Sequence, residues 1–244
     1  MRKSVLTLSV AAALAAPGLA AAADPSPLTG NMSIVSDYRF RGISQTYKLP
    51  AIQGGIDYAH DSGFYVGNWN SSISGLSFTD SAGIEMDFYG GWKKSFGDFG
   101  VDLGLLQYYY PGAKTSAGDK YDTLEGYAGV SWKWLSAKYS YAFSDFFGVP
   151  NSDGSGYLDL GFTMEVAPKL NVIAHYGMQT IKNNSAAEYN DWKVGVTYDL
   201  KGWVLGAAYV DTDADSAVYT LANAQGKTKD IGGSTIVLSV MKTF

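Results

Sequence analysis

The amino-acid sequence predicts an all-β protein, a transmembrane antiparallel up-and-down β-barrel of 12 strands. Three observations predict it. Apolar and polar residues alternate with period two through most of the chain, tight connections alternate with long ones, and aromatic residues gather where the alternating segments end.

The N-terminus comes first. Met1, Arg2 and Lys3 form a short cationic start, residues 4–16 an apolar stretch too short to span a bilayer, and Ala21, Ala22 and Ala23 a small-residue cleavage site. This is the pattern of a secretory signal peptide, 1–23, with cleavage expected after Ala23. Residues 24–29 read as a short extended lead-in, and 30–244 as the barrel. Loss of Arg2 and Lys3 leaves 16 basic against 23 acidic residues, a net charge of −7. That balance argues against a nucleic-acid partner, which needs clustered Lys and Arg. There is no cysteine, so disulfides and thiolate metal sites are excluded, and with His60 and His175 as the sole imidazoles a His-rich metal site is excluded too.

Twelve alternating segments follow, at 30–40, 50–60, 63–73, 83–94, 98–110, 121–133, 135–144, 156–166, 169–179, 189–200, 202–211 and 234–244. In the seventh, Leu135, Ala137, Tyr139, Tyr141 and Phe143 share one face while Ser136, Lys138, Ser140 and Ser144 share the other. A helix would scatter these apolar residues around its circumference; a strand sorts them onto one side. Each segment has about the length of a tilted membrane-crossing strand. All seven prolines avoid strand interiors, as they must where every N–H joins a ladder. Tight links at 61–62, 95–97, 134, 167–168 and 201–202 alternate with longer ones at 41–49, 74–82, 111–120, 145–155, 180–188 and 212–233. Outer-membrane barrels sort their connections in this way, short on the periplasmic side and long outside.

Aromatics flank the tight links: Tyr58 and Phe64, Phe96 and Phe99, Trp132 and Trp134, Tyr198 and Trp203. Tyr108 to Tyr110, Tyr121, Phe146, Tyr157, Tyr189 and Trp192 lie near the opposite ends. Together they are expected to form two girdles at headgroup depth. The last segment closes on Phe244 and resembles the C-terminal signal that barrel assembly machinery reads. Outer-membrane lipid and that machinery are therefore the expected macromolecular partners.

The stretch Ser36-Asp37-Tyr38-Arg39-Phe40-Arg41-Gly42-Ile43-Ser44-Gln45-Thr46, followed by Pro50-Ala51-Ile52-Gln53-Gly54-Gly55-Ile56-Asp57-Tyr58, resembles the opening of the TorF-type porins of proteobacteria. Phe64-Tyr65-Val66-Gly67, Glu85-Met86-Asp87-Phe88-Tyr89-Gly90-Gly91, Tyr108-Tyr109-Tyr110-Pro111-Gly112 and 188–192 extend the resemblance over the whole mature chain. It implies a signal-bearing outer-membrane barrel of the porin kind. It implies no substrate, and no residue role is carried over.

If the polar faces are lumenal, the first strand points Asp37, Arg39 and Arg41 inward and Met32, Ile34, Tyr38 and Phe40 outward. The inward set continues with Gln53, Asp57, Glu85 and Asp87, then Asp102, Glu125 and Lys138. Asp159, Glu165, His175 and Lys193 complete it. Opposed charges inside a barrel set a constriction and its selectivity, or else tie the lumen into a structural network. Asp37, Arg39 and Arg41 are the first choice for the selectivity element, with 42–46 as an external lip. Inward acids outnumber inward bases, so any conductance is expected to favour cations.

Other chemistry is weaker. His60-Asp61-Ser62 holds the residue types of a hydrolytic triad in consecutive positions, which are expected not to converge. His175 with Ser136 or Ser140 would be the pair of a barrel lipase or esterase, but no nucleophile elbow accompanies it. Asp211, Asp213 and Asp215 resemble the start of a calcium loop that lacks its Gly and its closing Glu. The expected function is passive diffusion of small hydrophilic solutes, without catalysis, cofactor or metal. The rivals are a closed structural or adhesive barrel that binds partners through its long loops, and an outer-membrane hydrolase.

Overall fold

The computed structural model describes residues 27–75, 82–115, 117–223 and 226–244. The expected signal peptide and residues 24–26 of the lead-in lie outside these. The wall is a closed, antiparallel, twelve-stranded barrel. Its strands are β1 (Leu28–Val35), β4 (Ala51–Ala59), β5 (Phe64–Ser72), β6 (Ile84–Phe96), β7 (Phe99–Tyr109), β8 (Thr123–Trp132), β9 (Leu135–Ala142), β10 (Gly156–Ala167), β11 (Leu170–Thr180), β12 (Tyr189–Leu200), β13 (Trp203–Thr212) and β16 (Thr235–Thr243). Each pairs with its chain neighbour in the wall, and β1 pairs with β16 to close it, Ile34 lying opposite Val240.

Alternation sorts the side chains as the pattern requires. On β7, Leu103 and Leu105 are exposed on the outside while Asp102 and Tyr108 are buried within. Met32, Ile34, Val66, Phe88, Val194 and Leu238 add to the outer apolar surface. Such a band belongs against hydrocarbon, because in water it would be a large unpartnered patch. The tight turns follow from backbone chemistry: at the β12–β13 hairpin both Lys201 and Gly202 have positive φ (55° and 84°), the geometry that lets a two-residue loop match strand twist. Aromatics at that end, from Phe64 and Phe96 to Trp132 and Trp203, point outward.

Two expectations are corrected. The first strand does not run to residue 40; it starts two residues early, at Leu28, and stops at Val35. The chain then turns into the lumen and forms a small hairpin, β2 (Arg39–Phe40) and β3 (Ile43–Ser44). Tyr38 and Phe40, expected to face lipid, are buried inside, and 42–46 is not an external lip, Ser44 being 0% exposed. The second girdle also fails as drawn. Tyr108, Tyr110, Tyr121, Phe146, Tyr157 and Tyr189 are buried. The outward aromatics at the long-loop end include Tyr109, Tyr141, Phe143 and Tyr209. Period two was right in these strands, but inward positions at that end hold tyrosine because they pack against the inserted hairpin.

The last long connection carries α1 (Ser216–Tyr219), β14 (Thr220–Ala222) and β15 (Thr228–Asp230). It covers the hairpin from the long-loop side. The Tyr47 hydroxyl donates to the carbonyls of Leu221 (3.1 Å) and Lys227 (2.8 Å), and Ser44 N–H donates to the Ile231 carbonyl (2.9 Å).

Candidate functional site

The hairpin tip is the residue pair Arg41–Gly42, with φ 47° and 81°. A side chain at Gly42 would meet Thr212 Cγ2 at 2.5 Å and Asp191 Cβ at 2.6 Å, so only glycine brings the tip against β12 and β13. From there the segment is tied to several walls. Arg41 donates through Nη2 to both carboxylate oxygens of Glu125 of β8 (2.9 and 2.7 Å) and through Nη1 to Gln179 Oε1 of β11 (2.8 Å). Its guanidinium lies 4.3 Å from the Tyr157 ring centre. Burial disfavours the Arg41 charge, but Glu125, Tyr108 and Tyr157 together more than offset this and raise its pKa. Arg39 bonds Asp37 (2.6 Å) and the carbonyls of Gly42 and Ile231. Asp37 also accepts from Ser44 Oγ (2.5 Å). The Tyr38 hydroxyl donates to Glu85 of β6 (2.6 Å), which accepts from Tyr110 as well (2.7 Å), and the Tyr38 ring packs edge-on to Trp69.

Below the hairpin lies a cavity of about 310 Å³ that extends to Lys133 and Trp134 in the β8–β9 turn. Of the expected inward residues, Asp37, Arg39, Arg41, Gln53, Asp87 and Asp102 line it, as do Lys138, Asp159, His175 and Lys193. Glu85 and Glu125 face inward but are sealed by the bonds just described. Asp57 is half-buried and accepts from the Tyr89 hydroxyl (2.5 Å). Glu165 departs from the expectation: it is exposed at the short-turn rim, where it accepts from Lys169 N–H (2.9 Å) across the turn.

A row of charge crosses the wall. In strand register Lys93 lies opposite Asp102, Asp102 opposite Gly129, Gly129 opposite Lys138, and Lys138 opposite Asp159. Asp159 lies opposite Gly177, and Gly177 opposite Asp191. Because the strands tilt, this row climbs from the short-turn mouth at Lys93 to the hairpin tip at Asp191. His175 sits between two of its members, with Nδ1 3.0 Å from Asp159 and Nε2 2.7 Å from Asp191. Both ring nitrogens therefore face carboxylates, and no hydrogen bond joins them to Ser136 or Ser140 among the described residues. The lipase pair is not assembled.

Inward tyrosines were the principal omission. Tyr65, bonded to Asp102 (2.6 Å) and to Tyr127, narrows the lumen, and Tyr157 bonds Asp191 (2.8 Å). Their signal was in the pattern: each has the parity of a lumenal carboxylate on its own or the paired strand. Glycines make the room, since a side chain at Gly104 would overlap the Tyr127 hydroxyl and one at Gly177 the Tyr157 hydroxyl. Asp191 shares the polar face of Lys193 and also belongs to the lumenal set.

The remaining motifs resolve locally. His60 Nδ1 and Ser62 Oγ do converge, at 2.7 Å, contrary to the expectation for near-consecutive residues; they close an exposed turn, without Asp61. In the acidic stretch, Asp213 accepts from Asn190 (2.5 and 2.8 Å) and Asp215 caps α1 through Ala217 N–H (2.8 Å). Among the described residues no three His, Asp or Glu side chains group to hold a metal.

Comparison with solved structures supports the architecture. A structure titled "KdgM porin" superposes with a TM-score of 0.55 at 8% identity, covering 89% of this chain and 98% of that one. A second, "KdgM porin in complex with disordered oligogalacturonate", gives 0.54 at 9%, with the same coverage. The NanC porin gives 0.51 at 12%, covering 88% and 98%. At such identities these likenesses speak for the barrel and not for its cargo. No curated protein matches the chain. Residues 19–244 match the model of a family described as "Bacterial protein of unknown function (Gcw_chp)", and the chain belongs to that family.

Proposed function

We propose that this barrel is an outer-membrane channel for passive diffusion of small hydrophilic solutes, with the lumenal segment 37–47 as its narrowest part. One observation carries the reading: the interior holds a charge-lined cavity reaching the short-turn mouth, and twelve strands leave more room than the eight whose interior side chains fill. The TorF-type resemblance points the same way. The proposed partners are outer-membrane lipid along the apolar band and the barrel assembly machinery at the closing strand. Phe244 supports the latter, since its side chain is exposed while its backbone bonds Gly30 (2.8 and 3.2 Å). The hairpin also favours a second reading, a closed lumen whose long loops bind partners, because its buried groups are tied to so much of the wall. Planar-bilayer recording separates the two: discrete conductance steps support the channel, and silence from correctly folded protein supports the closed barrel.

A further inference from the structure

The outer rim of the short-turn end carries charge that the lumen does not use. Lys133, Lys169 and Lys201 stand in the two-residue links β8–β9, β10–β11 and β12–β13, each with positive φ (53°, 68° and 55°). Glycine, asparagine and aspartate take that conformation most readily, so lysine at three such places is held there against backbone preference. Two more lysines, Lys94 on β6 and Lys242 on β16, have the outward parity of their strands. None of the five joins an ion pair among the described residues, whereas Lys120 and Lys182 at the long-loop end do.

Aromatic rings hold these ammonium groups at one depth. Lys133 Nζ lies 4.9 Å from the Trp132 ring centre and 5.6 Å from that of Trp134. Lys94 Nζ lies 6.0 Å from the Phe96 ring centre, and Lys242 Nζ 5.6 Å from that of Trp203, its register partner on β13. All four aromatic residues are exposed, and such rings settle at headgroup level. A ring face covers one side of an ammonium and leaves N–H donors free. Lys242 also reaches over the link that carries Lys201, since a side chain at Gly202 would come 2.8 Å from its Nζ. The acids of this end are engaged elsewhere. On the lumenal parity of their strands, Glu165 accepts from Lys169 N–H (2.9 Å) and Asp199 from Gly202 N–H (2.6 Å). Asp61 and Asp98 remain in their links, against five lysines. Unpaired cations on the outward side, at the depth of an aromatic girdle, complement a lipid phosphate.

We propose that the short-turn rim binds the phosphate of anionic glycerophospholipids, with Lys133, Lys201 and Lys242 as its principal contacts. This rests on the lipid contact proposed above and deepens it by naming the headgroup; it does not depend on conduction. The test reconstitutes the barrel in phosphatidylcholine vesicles containing phosphatidylglycerol, with one or the other lipid brominated in its acyl chains. Quenching of tryptophan, reported at this end by Trp132, Trp134 and Trp203, then gives the affinity for one lipid relative to the other. Phosphatidylglycerol should be preferred by about fivefold in low salt and hardly at all in about 1 M NaCl. Replacing Lys133, Lys201 and Lys242 together by Gln should remove most of the preference, and replacing them by Arg should keep it. Replacing Lys114, Lys120 and Lys182 at the long-loop end by Gln changes the net charge equally and should leave the preference intact. Heat-modifiable gel mobility checks folding, and the salt series on the unaltered protein decides the matter even where a variant does not fold. Equal quenching by the two lipids, a preference indifferent to salt, or equal losses in the two Gln triples would overturn the headgroup site and leave the lipid contact standing. No quenching by either lipid would overturn both.

Discussion

The two ends of the lumen share one wall and differ in what fills it. At the long-loop end, the hairpin and inward tyrosines pack the space with buried rings and ion pairs, Tyr38 being 1% exposed. At the short-turn end the same strands enclose a cavity whose charges face open space. The wall's alternation is identical in both halves, so strand pattern decides which residues point inward but not whether the interior is full. That is decided by a single connection that leaves the wall at Val35.

The strongest way to break this contrast is to remove the filling. Replacing 37–47 by a short Gly-Ser link should raise single-channel conductance several-fold; an unchanged conductance would show that the packed end does not limit flow. Next in size, Arg41→Ala leaves Glu125 buried and unpaired and should cost about 3–5 kcal/mol in urea unfolding, with most of the loss recovered when Glu125→Leu is added. Gly177→Val, which puts a side chain into Tyr157 and Asp191, should cost about 1–3 kcal/mol by crowding the row that joins the two ends. The smallest effect is expected outside the lumen. Lys182 and Asp153, half-exposed and 3.4 Å apart, should contribute under about 1 kcal/mol, so Lys182→Ala should leave the unfolding midpoint nearly unmoved.

The contrast also marks how far the sequence could be read. Strand positions were legible because a two-residue period over 8–13 residues leaves no other regular structure: β12, expected at 189–200, is Tyr189–Leu200. The charged lumenal faces followed from parity. The hairpin did not, because Asp37-Tyr38-Arg39-Phe40 continues the alternation of β1, and only the Arg41–Gly42 pair hints at a reversal. The lumenal tyrosines were misplaced for a related reason. Tyrosine suits both a headgroup girdle and a polar interior, and composition cannot choose between them. Parity could have: Tyr108 shares its face with Asp102, and Tyr157 with Asp159. Pairing across the lumen, as for Arg41 with Glu125 at a separation of 84 residues, has no local signature.

The bond between Arg39 and Ile231, 192 residues apart, carries a consequence for biogenesis. The segment after β1 is made early, yet its resting place includes a stretch that emerges just before the final strand. It cannot be fully docked until synthesis is nearly complete, and the seam between β1 and β16 must then shut around it. Contacts so remote in sequence are slow to form. Zippering of the cylinder and seating of its occupant are thereby bound into one late event, so a barrel that shuts with the occupant misplaced would have to reopen that seam to correct it.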